Sequence, residues 1–203
     1  MAGRAGRIGN RAPRAAARLV VAARVLAALL MFAGTLRAAH AATGDELEYP
    51  VKAEFIERFT HFIDWPQSAF GGPDAPFILC VIGETPLGPY LDRLAQYRRI
   101  KGRAVQLRRV KANADLSQCH LVFIAADERA HLKQILARVE GRPIVTVADS
   151  EGFGRAGVLI NLNLDAEGRV GFEISSASAK HTALTLNAQL LKLSRLSPGE
   201  DGR

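Results

Sequence analysis

The chain predicts an α/β fold: a single compact domain whose mixed, mostly parallel sheet is flanked by helices and ends in a C-terminal β-hairpin and a closing helix. Three observations carry this. Phe77 to Gly83 is a short, continuous apolar run, as in strands buried on both faces, His120 to Ala125 repeats that type, and Pro143 to Val147 reads as a further strand. Segments of helical period separate them, so the connections are right-handed crossovers. After Val147 the rhythm changes, and two strand-like runs follow each other across a short polar loop.

The elements follow in order. Residues 1–41 read as a leader. They hold Arg4, Arg7, Arg11, Arg14, Arg18, Arg24 and Arg37 and no acid, then an apolar stretch from Leu19 to Gly34, then Ala39-His40-Ala41, an A-x-A pattern with cleavage expected after Ala41. The stretch is shorter than the roughly 20 residues a membrane span needs. An uncleaved anchor and an organelle transit peptide are the competing readings. The chain's 27 Lys plus Arg, less those seven arginines, equal its 20 Asp plus Glu, so the formal charge of +7 belongs to the leader. Basicity therefore does not point to nucleic acid as a partner.

Residues 42–203 form the predicted domain, with its core over about 49–196. From Val51 to Ile63 the apolar residues Val51, Phe55, Ile56, Phe59, Phe62 and Ile63 recur at helical spacing, and Trp65-Pro66 ends the helix. Strand Phe77–Gly83 is followed by a helix over Pro86–Tyr97, and Arg98-Arg99-Ile100-Lys101 reads as a solvated loop. Ala104–Val110 alternates as a half-exposed strand, His120–Ala125 is a buried one, and Glu128–Val139 is a helix before strand Pro143–Val147. Gly157–Leu162 and Arg169–Ile174 make the hairpin. A last helix, capped by Ser175 or Ser176, is expected to run to about Leu196 with Ala177, Leu184, Ala188 and Leu191 inward. Cys80 and Cys119 fall in neighbouring strands, either paired as a disulfide or as two buried thiols.

Specific catalytic signatures are missing. No G-x-S-x-G, P-loop, H-E-x-x-H or C-x-x-C occurs. Gly152-Phe153-Gly154-Arg155-Ala156-Gly157 matches G-x-G-x-x-G, but its third glycine enters a strand, so a tight turn is expected and no dinucleotide cofactor. His61, His120, His131 and His181 lie on four separate elements and predict no metal site. His61 and Asp64, at i, i+3 on the first helix, can meet either as a functional pair or as a helix-end charge contact, and Ser150 has no local histidine to activate it. The aromatics Phe55, Phe59, Phe62 and Trp65 are core residues or, where exposed, a docking face.

Taken in order, these segments resemble the YfiR-like family. Val51-Lys52-Ala53-Glu54-Phe55 through Phe62-Ile63-Asp64-Trp65-Pro66 is similar to its opening motif. Phe77 to Gly83 with Cys80, Lys101-Gly102-Arg103, Cys119-His120-Leu121-Val122-Phe123-Ile124, Gly152-Phe153, Phe172-Glu173-Ile174 and Leu184 to Leu193 resemble its later blocks. The resemblance implies a periplasmic regulator without catalytic activity and without a cofactor. Its partner is then the periplasmic sensory region of a membrane-bound signalling protein, a diguanylate cyclase or a histidine kinase, which it represses, lowering cyclic di-GMP signalling and biofilm formation. The family's domain tends to dimerise, and its cysteine pair falls at Cys80 and Cys119. Two departures stand out: Ser175 follows the Phe-Glu-Ile strand where Asn is expected, and a second, later cysteine pair is absent. Candidate binding residues are Phe59, Trp65, Glu151, Phe153 and Arg155, with Arg98 to Lys101 as a further basic stretch. A second reading is a small-ligand sensor with a pocket lined by Phe59, Trp65 and the Gly152–Gly157 turn. A third is an enzyme built from His61, Asp64, His120, Asp149 and Glu151.

Overall fold

The computed structural model describes residues 47–197, so the predicted leader and its cleavage after Ala41 lie outside the described residues. Helix α1 covers 47–61 and gives way to β1 (Ile63–Asp64) just before Trp65-Pro66. Then come β2 (Phe77–Ile82), α2 (Gly88–Tyr97), β3 (Arg99–Ile100), β4 (Arg103–Val110), β5 (Leu121–Ile124), α3 (Leu132–Val139) and β6 (Val145–Ala148). The C-terminal part adds β7 (Ile160–Leu164), β8 (Val170–Ser175), α4 (Ser176–His181), β9 (Thr185–Leu186), α5 (Ala188–Leu193) and β10 (Arg195–Ser197). No helix among the described residues is long and apolar enough to cross a membrane.

Eight strands form one sheet in the order β10-β8-β7-β6-β5-β2-β4-β3. The central run β4, β2, β5, β6, β7 is parallel, which explains the unbroken apolar strands: both faces are covered. Successive side chains point to opposite faces. Phe77, Leu79 and Val81 of β2 join Ile56, Phe59, Leu87 and Leu91 in one core, beneath α1 and α2. Ile78, Cys80 and Ile82 join Leu132, Ile135 and Val139 of α3 in the other. Each large side chain so buried contributes about 1.5–3 kcal/mol. In the second core Cys80 and Cys119 form a disulfide, with Cα atoms 5.9 Å apart.

β7 and β8 pair antiparallel, as the polar loop between them predicts. Two expectations need correction. Arg98 to Lys101 is not a loop: Arg99 and Ile100 pair with Ala104 and Arg103, and Lys101 (φ 51) and Gly102 (φ 77) supply the two positive φ angles of a tight hairpin turn. Ile100 is fully buried there. The closing helix is also not continuous. Ser175 caps its first part through a bond from the Ser178 N–H, but the helix stops at His181. Thr185 and Leu186 then pair with Asp64 and Ile63, the Asn187 N–H donates to the Phe62 carbonyl at 2.8 Å, and the Asn187 side chain caps α5. The β-branched threonines suit that extended stretch. The break resets the inward face: Leu190 is buried and Ala188 exposed, and Leu196 lies in a strand parallel to β8.

Candidate functional site

An apolar groove opens between α1, β8 and α5. Phe55 and Phe59 recur at i and i+4 on one side of α1, and Phe62 follows in the turn that ends it. Val170 and Phe172 alternate on β8, and Leu190 and Leu193 stand three apart on α5. These residues wall a cavity of about 680 Å³. Ring centroids lie 5.8 Å apart for Phe55 and Phe59, 4.7 Å for Phe59 and Phe172 and 6.1 Å for Phe55 and Phe172, all tilted or edge-on as aromatic pairs prefer. Leu193 is 70% exposed at its edge. The rim's Arg58 and Asp165 are internally paired, with Glu54 at 2.9 Å and Arg169 at 2.8 Å, and the His61 ring bonds Glu57 at 3.3 Å. Asp165 accepts from the Arg169 and Glu167 backbone amides, and the Arg169 amide does most to hold its carboxyl below the usual carboxylate range, so the rim keeps that charge.

A polar cavity of about 510 Å³ lies next to it, with Asn163 of β7 lining both. Asp149, Glu151, Arg155, Asn161 and Glu173 line it. The G-x-G-x-x-G segment forms its wall as a turn. Gly152 and Gly157 have φ of +83° and +107°, and a Cβ on Gly154 would stand 2.3 Å from Glu173 Oε1, so only glycine leaves room for that carboxylate. Asn161 donates through Nδ2 to the Ser150 carbonyl at 3.0 Å and to Glu173 Oε1 at 3.1 Å, which fixes the amide's orientation. Its buried Oδ1 has no hydrogen-bond partner among the described residues. Lys52, 4% exposed, ties α1 to this region by ion pairs with Glu48 and, at 2.9 Å, with Asp149. Burial alone would lower the Lys52 pKa, but hydrogen bonds and attraction from Glu48 and Asp149 outweigh it and the pKa is raised.

The sequence-selected residues do not converge on one pocket. Phe59 lines the groove at 3% exposure. Exposed Glu151 and Arg155 line the polar cavity. Trp65 is interior, edge-on to Phe77 at 5.1 Å, and its Nε1–H donates to the His120 carbonyl at 3.2 Å. Phe153 is fully buried in the α3-side core beneath the Arg129 guanidinium. His61 bonds Glu57, and Asp64 bonds Lys101 at 3.0 Å, so the expected His61–Asp64 contact does not form. No cluster of three metal-ligating side chains occurs among the described residues. Sequence reasoning does not single out Leu190, Leu193 or Asn161. The alternation of Val170, Phe172 and Ile174 is the one local signal that places Phe172 on the α1 side.

The order of helix, parallel strands, glycine turn and hairpin is the arrangement on which the resemblance rests. No curated protein matches the chain. The model of the YfiR/HmsC-like family (DUF4154), in contrast, matches residues 49–195, from α1 to the start of β10, and the chain belongs to that family.

Proposed function

We propose that the protein is an exported regulator without catalytic activity. Through its apolar groove it docks on the extracytoplasmic region of a membrane-bound signalling protein, most directly a diguanylate cyclase and alternatively a histidine kinase, and holds it inactive. The family is one of periplasmic regulators of diguanylate cyclase signalling, which supplies the class of partner. The observation that carries the reading is the groove: an aromatic wall, an exposed leucine at its edge, and rim charges already paired within the chain. Such a surface gains by covering apolar area without stripping water from unpaired charges. The disulfide fits an oxidising compartment. Exposed Glu151 and Arg155 offer polar contacts beside the groove.

The test is titration of the full chain with the purified extracytoplasmic region of a membrane-bound diguanylate cyclase or histidine kinase from the same organism. Binding lost on Leu193→Arg, with the fold unchanged, supports the groove; equal binding by the variant refutes it. A small-ligand sensor is the second reading, favoured by the unpartnered Asn161 Oδ1 in the wall of the polar cavity. The two readings are compatible, since a ligand that prefers one conformer shifts partner binding by its differential affinity.

A further inference from the structure

His120 lines neither the apolar groove nor the polar cavity. It stands just before β5, next to disulfide-bonded Cys119, and is 5% exposed. Its backbone N–H donates to the Ile78 carbonyl at 2.9 Å, and its carbonyl accepts from the Val145 N–H at 3.0 Å and from Trp65 Nε1 at 3.2 Å. Both ring nitrogens are committed. The Ile78 N–H donates to Nδ1 at 2.9 Å, so the ring proton sits on Nε2, which donates to the Ala69 carbonyl at 3.1 Å. The ring is stacked between Phe77 of β2, at 5.1 Å, and Phe70 of the 66–76 segment, at 4.6 Å. Arg103 grips the same segment, donating to the Gly72 and Ala75 carbonyls with its guanidinium 4.0 Å from the Phe70 ring.

We infer that His120 is a proton-operated latch: neutral, it fastens the 66–76 segment to the edge of β2, and a second ring proton releases that segment. The Ile78 N–H occupies the lone pair that proton needs, so protonation sets two donors against each other at Nδ1. Only the Ala69 carbonyl, accepting from Nε2, favours the added charge, and burial outweighs it. The segment contributes Ala69 and Phe70 and β2 contributes Phe77 and Ile78, none of them titratable, while β4 contributes the guanidiniums of Arg103 and Arg108. Relief lies on the side of the segment, because β2 is central in the sheet and held by β4 and β5. The latch stands whether or not the groove docks a partner.

The sign follows from linkage. Burial first, with Arg103 and Arg108 adding to it, holds the His120 pKa below its ordinary value in the latched state, and a released histidine titrates near about 6.5. The latch is therefore fully supported above about pH 6.5 and loses support as pH falls through the latched-state value. Across that window the released population rises up to tenfold per pH unit.

Trp65, the only tryptophan in the chain, is bonded to His120 and reports the event. The experiment follows Trp65 emission and far-UV circular dichroism of the full, disulfide-bonded chain from about pH 7.5 to about pH 4.5. It is repeated on His120→Asn, whose carboxamide can still accept from Ile78 and does not titrate. Expected is a one-proton Trp65 transition at constant circular dichroism in the wild type, faster proteolysis within 66–76 on its acid side, and neither change in the variant. A flat wild-type signal overturns the latch, as does loss of circular dichroism together with the Trp65 change, or the same transition in His120→Asn. Should that variant not fold, His120→Gln, keeping the Nε2 donor, serves in its place under the same criteria.

Discussion

Replacing Lys52 by methionine tests how the first helix is tied to the sheet. The lysine side chain is 5% exposed and its partners Glu48 and Asp149 are each 13% exposed, so all three groups are largely withdrawn from water. Methionine keeps the apolar stem and removes only the ammonium, leaving two carboxylates without their cation. Breaking a buried pair on one side costs about 3–5 kcal/mol, and the residual water at the carboxylates places this case near about 3 kcal/mol. For a domain of this size that is a fall in Tm of roughly 6–12 °C. Urea unfolding of Lys52→Met, Asp149→Asn and the double variant measures it, and the double variant should recover part of the loss as a coupling energy. The pH dependence has a definite sign. Because the folded-state pKa of Lys52 is raised, its contribution is complete below about pH 10.4 and is lost as pH rises through the folded value; the methionine variant should lack that alkaline decline. A loss under about 1 kcal/mol, or no coupling to Asp149, would show that the pair behaves as a screened surface contact and that the strut is not there.

Removing the disulfide as Cys80→Ala with Cys119→Ala frees a separation of 39 residues, for which the chain-entropy model gives about 4 kcal/mol, read as a lower urea midpoint. Gly154→Ala forces the Glu173 carboxylate aside and breaks its bond to Asn161; we expect a loss of about 1–3 kcal/mol that largely vanishes in a Glu173→Ala background, where the obstruction is gone. Leu193→Arg, at an exposed position, should leave stability within about 0.5 kcal/mol and abolish partner docking, measured by thermal unfolding and by titration with the partner's extracytoplasmic region.

The parts of the fold that could be read in the sequence are those decided locally. β2, β5 and β6 show themselves as apolar runs because helices cover both faces of the parallel sheet, and α1 shows its aromatic side because Phe55 and Phe59 fall on one helical stripe. The parts that could not be read are decided by residues far away. The stretch after His181 has adequate helical character, yet β1, more than a hundred residues earlier, recruits Thr185 and Leu186 as its partner strand and Asn187 restarts the helix. The hairpin of β3 and β4 escaped because Lys101, not glycine or asparagine, takes the positive φ beside Gly102, held by its bond to Asp64. The same division explains the site. Trp65 and Phe153, conspicuous in sequence, are interior because large aromatics are the cheapest way to fill a core, whereas the groove joins the legible aromatics of α1 to apolar positions on β8 and α5 that nothing local singles out. Its edge is Leu193, exposed on α5, while the restart of the helix at Asn187 turns Leu190 inward beside it. The strand pairing between β1 and β9 thus places α5 beside α1. If the protein docks through the groove as proposed, a change at that pairing that leaves the core intact should weaken the same titration as a change in the groove itself.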